Sequence, residues 1–317
     1  LMFAKTHTDP SAVSVGTTLC GNKNLIRLKS VLREKNKFIY DYDVEGTVSE
    51  FFFERRPFTI EYKCDLETVP DSVAVIPFMG LVLPVCWLTD SELEVAEADE
   101  DFTECIDDIK RGYAAMYPDL CFKGRLKIGR KIKNTVDYSL RRVLCLYSGG
   151  VDAVSTMLSN LCYKPELMTL WGADIYFEQE KAWQLAQKNI KETASVFQLP
   201  CTSVKSSFRY VLDEKKLSQA YAAKVSENWW HGFEHGIALL GHAAPYAYKN
   251  NIMDIKIAAT YDASERDRQT CASDPIIDEK MRFCGCKVYH DGFEKTRTDK
   301  VRQIVRFAEK NHVNIRL

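Results

Sequence analysis

The chain has 317 residues, 46% hydrophobic and 27% charged, with a formal net charge of -1. This is globular composition with room for two domains, and no field of one sign points to nucleic acid or to an acidic partner. No apolar run is long enough to cross a membrane, so no membrane partner is expected, and the start Leu1-Met2-Phe3-Ala4-Lys5 lacks a signal-peptide layout. The 11 cysteines, an odd number scattered through apparent strands and helices, point to reduced thiols and a cytoplasmic setting rather than a disulfide framework.

Residues 24–87 alternate short β-like runs with breaks. Residues 38–42, 49–53, 58–62 and 73–87 are rich in β-branched and aromatic side chains, and their close spacing predicts an antiparallel sheet. A helix is predicted over 102–116, with Ile106, Ile109, Tyr113 and Met116 on one face. Lys123, Arg125, Lys127, Arg130, Lys131 and Lys133 then alternate with Leu126, Ile128 and Ile132. That pattern suits an edge strand protected by charge better than an RNA contact. No catalytic constellation occurs here. The reading is a β-rich α+β domain over 1–138, joined near 134–141 to a second domain over 139–317.

The second domain opens with the most informative stretch. Val143-Leu144-Cys145-Leu146-Tyr147 reads as a buried strand, and Ser148-Gly149-Gly150-Val151-Asp152-Ala153 follows. Two adjacent glycines permit a tight turn. Val154, Met157, Leu158 and Leu161 then repeat at helical spacing. Strand, glycine turn and helix together aim free backbone N–H groups and a positive helix end at one point, which suits phosphate. Ser148 adds a hydroxyl, and Asp152 in the first turn is a carboxylate suited to holding Mg²⁺ against that phosphate. The spacing is neither the Walker loop nor the dinucleotide fingerprint.

Beyond it, residues 166–171 read as a second strand ending at Gly172-Ala173-Asp174. In an open parallel sheet ligands lie beyond the carboxyl ends of strands. Asp174 either meets a ribose hydroxyl or caps the next helix, predicted over 178–197. Residues 201–204 read as a third strand; Ser206, Ser207 and Arg209 after it are polar lining or plain loop. His231, His235 and His242 share one helical face without forming His-Glu-x-x-His, so they read as helix-face histidines rather than a metal site. A fourth strand, 255–260, leads into a polar loop with Arg266 and Arg268, suited to phosphate oxygens or to a charged surface. Cys271 and Asp274 follow. Residues 286–290 form a fifth strand, after which Lys295 precedes a final helix bearing Val301, Ile304, Val305 and Ala308.

Ser-Gly-Gly-x-Asp in this context resembles the PP-loop of the ATP pyrophosphatases, the adenine nucleotide alpha-hydrolase-like group. The order of elements over 142–317 is similar to that of 7-cyano-7-deazaguanine synthases. The resemblance implies an open five-stranded parallel sheet with helices on both faces, the HUP/PP-loop fold. It implies ATP and Mg²⁺ as cofactors, and adenylation of a carboxylate or carbonyl oxygen of a small-molecule or nucleobase-like substrate. Pyrophosphate would leave, and a nitrogen or sulfur nucleophile would then displace AMP. Ser148, Gly149, Gly150, Val151, Asp152 and Ala153 would surround the pyrophosphate, with Asp152 on the metal. Adenosine would lie near Trp171 and Asp174, and Arg266, Arg268 and Lys295 would meet phosphate or substrate. Ala153 departs from the family, which has Ser or Thr there. Those synthases carry zinc-binding cysteines, including a Cys-x-x-Cys, beyond the last helix; Cys284-Gly285-Cys286 is too tightly spaced to replace them, and the chain reads as ending before such a site, so no zinc ligand is assigned. Two alternatives remain: a degenerate nucleotide-binding regulatory module, and an RNA-modifying PP-loop enzyme docking RNA through residues 123–133. Oligomerisation is left open.

Overall fold

The computed structural model describes residues 23–54, 56–265 and 270–317. The first half runs β1 (Leu25–Glu34), β2 (Lys37–Glu45), β3 (Phe58–Glu61), α1 (Asp71–Ala74), α2 (Ile76–Leu88), β4 (Glu92–Asp99), α3 (Glu100–Met116) and β5 (Arg125–Ile132). The second runs β6 (Arg142–Leu146), α4 (Val151–Ser159), β7 (Glu166–Trp171), α5 (Glu180–Phe197), β8 (Cys201–Ser206), α6 (Glu214–Leu217), α7 (His235–Lys249), β9 (Ile252–Ala258), α8 (Pro275–Asp278), β10 (Arg282–Phe283), β11 (Cys286–Asp291) and α9 (Arg297–Asn311). No helix among the described residues is long and apolar enough to cross a membrane.

Among the described residues all the strands join one open, mostly parallel sheet of 11 strands, in the order β10-β11-β9-β6-β7-β8-β3-β2-β1-β4-β5. The sheet is therefore not five-stranded as expected. Five mutually parallel neighbours, β11-β9-β6-β7-β8, form the run next to the β10 edge. Strands of the first half continue it through the antiparallel pairs Ile60↔Ser206 and Glu61↔Lys205. From β6 the chain winds first towards β7 and β8, then returns to the other side for β9 and β11. The carboxyl end of β6 is thus a topological switch point, where adjacent connections diverge and leave a crevice.

The middle strands are covered on both faces. Along β6, Leu144 packs into the core shared with α2, α3 and α7, while Cys145 packs with α4, α5 and α9. Alternation of this kind in the apolar run 143–146 is what burial on two sides demands. Glycines bring α2 and α7 close. A Cβ on Gly80 would lie 2.9 Å from the Ile237 carbonyl oxygen, and one on Gly241 would lie 3.4 Å from that of Ile76.

Two expectations for the first half are corrected. Residues 73–87 are helical, in α1 and α2, not β. Ile76 through Trp87 is buried on every side, so no amphipathic period separates helix from strand. Residues Thr47–Phe51 form a 3₁₀ turn rather than a strand. The sheet there is also only partly antiparallel, since β4 runs parallel to both β1 and β5. The basic segment is indeed the edge strand β5. Lys127 pairs with Glu94 (3.2 Å), Arg130 with Glu97 (2.6 Å) and Lys133 with Asp101.

Candidate nucleotide site

At the switch point, β6 delivers Tyr147 and Ser148 into a turn. Gly149 has φ +87°, the left-handed region in which a side chain is strained, and a Cβ there would meet nothing within 4 Å. Gly150 is the N-cap of α4, and Ser148 Oγ accepts weakly from its N–H at 3.4 Å. The start of α4 thus points backbone donors into open space, a disposition suited to an anion.

A cavity of about 230 Å³ opens beside this turn, beyond the carboxyl ends of β6, β7 and β9. Its apolar wall includes Met168, Leu170, Leu239 and Ile257. Its polar groups include Ser148, Asp152, Asp174 and His235. An apolar slot with a few convergent polar groups is the usual form of a small-ligand site. Tyr147 N–H donates to the Met168 carbonyl (2.8 Å), and Thr169 Oγ1 donates to the Tyr147 carbonyl (2.6 Å), so the strand ends flanking the slot are tied together.

Several expected residues meet here and others do not. Ser148, Asp152, Ala153 and Asp174 line the cavity. Asp174 stands at the rim, its Oδ1 accepting from Trp230 Nε1 at 3.1 Å. Ala153 is buried and supplies no hydroxyl; Ser155 does not replace it, because its hydroxyl donates to Gln303 Oε1 at 2.7 Å. Trp171 faces away from the cavity towards α5, stacked on Trp183 at 5.2 Å with Lys205 Nζ 4.6 Å above its ring. Lys295 is not brought to Asp152. Its Nζ donates to Ser159 Oγ (2.9 Å) in the last turn of α4, seven residues or about 10 Å along the helix. Arg266 and Arg268 lie outside the described residues.

Two cations that sequence reasoning passed over do reach the site. Arg297 donates to Asp152 Oδ2 at 2.8 Å, and Lys300 donates to Asp152 Oδ1 at 3.0 Å and to the Ala259 carbonyl at 2.5 Å. The sequence carries the signal for the helix start that presents them, though not for the partner they meet. Thr296-x-x-Asp299 is a capping box, with both reciprocal bonds formed, and it sets the start of α9. Arg297 and Lys300 then fall three apart on one face. Cations at a helix N-terminus oppose its dipole; here Asp152 compensates them.

Among the described residues no group of three or more His, Cys, Asp or Glu could hold a metal ion. His242 is buried, its Nδ1 2.7 Å from the Ala238 carbonyl and its Nε2 2.7 Å from Ser206 Oγ. Burial lowers its pKa to about 4. His231 Nε2 lies 3.1 Å from Tyr261 Oη. His235, at the cavity wall with Nδ1 3.9 Å from Cys271 Sγ, is also held below the usual histidine range by burial. The Cys271 thiol is pushed up to about 12 by burial, which keeps it protonated. Beneath the wall, Glu234 is fully buried with Trp229 Nε1 donating to Oε1 at 2.5 Å; burial raises its pKa and favours the neutral acid. Cys284 and Cys286 flank a tight turn between β10 and β11, and Cys286 Sγ donates to the Ile252 carbonyl.

The chain matches no family model, no curated protein and no solved structure in the comparisons made with each.

Proposed function

We propose that the chain binds ATP at this site and adenylates a carboxylate or carbonyl oxygen of a small or nucleobase-like substrate, releasing pyrophosphate, before a nitrogen or sulfur nucleophile displaces AMP. One observation carries the reading: the open Gly149–Gly150 turn at the head of α4 adjoins an apolar slot at the switch point of the parallel strands. The neighbour order β8-β7-β6-β9-β11 supports the HUP/PP-loop comparison drawn from the sequence. The nucleoside takes the slot between Met168, Leu170 and Ile257, with Asp174 at the rim for a ribose hydroxyl. The phosphates take the turn, where backbone N–H groups and the Ser148 hydroxyl donate to them. Lys300 and Arg297 supply the positive charge that departing pyrophosphate requires. Catalysis is then largely positioning and charge stabilisation. A divalent ion arriving with the triphosphate would add to that stabilisation.

A second reading, a nucleotide-binding module without catalysis, draws on the buried Ala153 and on a Ser155 hydroxyl committed to Gln303. The RNA-modifying reading is weakened by the carboxylate partners of Lys127, Arg130 and Lys133. Calorimetry with α,β-methylene-ATP tests the first step, and a chain that takes up none refutes both nucleotide readings. Incubation with α-labelled ATP and a panel of carboxylates and amines then separates enzyme from module. AMP with stoichiometric pyrophosphate is expected; tight binding without AMP would favour the module.

A further inference from the structure

A short turn sets the rim of the cavity. Residues Trp230–Glu234, leading into α7, form a π-turn, a register rare in helices and frequent at functional sites. Its side chains reach both ways. Trp230 Nε1 donates to Asp174 Oδ1 (3.1 Å), just past the end of β7, and His231 Nε2 lies 3.1 Å from Tyr261 Oη, just past the end of β9. Between those two strands lies β6, so the turn straddles the switch point. His235, the residue that follows, stands in the cavity wall.

Three successive carbonyls of this turn are met from outside the helix. His231 accepts from the Ala272 N–H (2.8 Å), Gly232 from Tyr117 Oη (2.7 Å) and Phe233 from Tyr113 Oη (2.6 Å). Tyr113 lies in α3 and Tyr117 at its C-cap; both are buried, and neither lines the cavity. Carbonyls drawn outward lengthen their helical bonds, which favours the wider π register over the α one. Gly232 lets Tyr117 approach, since a Cβ there would lie 3.3 Å from its Oη and 2.7 Å from Ser226 Cβ. A slip to the α register would turn Trp230 and His231 by one residue, roughly 100°, off Asp174 and Tyr261.

We infer that Tyr113 and Tyr117 are positioning residues for the nucleotide site. Their hydroxyls hold the π-turn in the register that ties Trp230 to Asp174 and sets His235 in the wall. The first half of the chain thereby shapes a rim that it does not itself form. The ligand in this inference rests on the ATP reading given above; the geometry does not.

The test compares Tyr117→Phe, the double variant Tyr113→Phe/Tyr117→Phe and Tyr62→Phe on the full chain. Tyr62 is the matched control, because its buried hydroxyl donates to the His242 carbonyl (2.8 Å) farther along the same helix. Urea unfolding should show similar losses for Tyr117→Phe and Tyr62→Phe. Calorimetry with α,β-methylene-ATP should show affinity falling about tenfold in the double variant, about threefold in Tyr117→Phe and less than about twofold in Tyr62→Phe. Without nucleotide, the Trp230 indole N–H should exchange with solvent at least about tenfold faster in the double variant than in wild type. If that exchange is unchanged, if affinity holds in the double variant, or if Tyr62→Phe weakens binding as much, the positioning role is overturned and the ATP reading stands. If the analogue does not bind wild type, the ATP reading falls, and indole exchange alone decides whether the tyrosines hold the rim. Should the double variant fail to fold, Tyr117→Phe carries both comparisons.

Discussion

Acidification is expected to destabilise the protein through His242, by an amount that the structure bounds. The imidazole is 1% exposed. Because the Ala238 carbonyl can only accept, Nδ1 carries the proton, and Nε2 accepts from the Ser206 hydroxyl, which in turn accepts from the Phe208 N–H. The neutral ring is thus satisfied on both sides, and burial lowers its pKa from 6.5 to about 4. In the unfolded chain the ring protonates near its ordinary value. As pH falls below about 6.5 the unfolded state therefore takes up a proton that the folded state refuses. The contribution is fully present above pH 6.5 and is lost progressively down to about pH 4, which amounts to about 3 kcal/mol at 1.36 kcal/mol per pH unit. His231 and His235, also lowered by burial, act in the same direction; Glu234, raised by burial, acts in the opposite one. A difference measurement removes them. Urea unfolding of wild type and His242→Asn, which keeps a donor for Ala238, should show the stability gap moving by about 3 kcal/mol in favour of the variant between pH 7 and pH 4. A gap that stays constant over that range would refute the reasoning.

Gly149→Ala should cost the fold only about 1–2 kcal/mol, the penalty of a left-handed residue whose methyl meets no neighbour. Binding of α,β-methylene-ATP should nevertheless fall by at least about tenfold, since the turn that aims its donors at phosphate is strained; unimpaired binding would show that the turn is not the cradle. Thr296→Ala removes the capping box of α9 and should cost about 1 kcal/mol in urea unfolding. Because the same cap sets the phase of Arg297 and Lys300, analogue affinity should fall too, and unchanged affinity would separate the cap from the site.

What the sequence made legible was local. The strand, turn and helix from Val143 to Leu158 follow from apolar period and two glycines, and the fold places them within a residue or two of expectation. Residues 73–87 were illegible for a physical reason: a helix buried all round has no polar face to mark its period. Trp171 was drawn to the site by its place at a strand end, but successive residues on a strand point to opposite faces, and it is Leu170 that lines the slot. Lys295 and Lys300 show the limit most clearly. Proximity to the last helix singled out the first, whereas the cap at Thr296 fixes which cation turns towards Asp152, 148 residues away in sequence. No local pattern announces a pairing over that separation.

The close seating of α2 on α7 through Gly80 and Gly241 has a consequence for how the protein can be cut or evolved. The helix whose front carries His235 and Leu239 has its back sealed by a segment contributed more than 150 positions earlier in the chain. A fragment beginning at β6 would bare that back to water, so the ligand slot would lose the rigid support behind one of its walls. Insertions and exchanges are better accommodated at the solvent-facing loops than at this seam, and α2 serves as a buttress for a slot that it does not line.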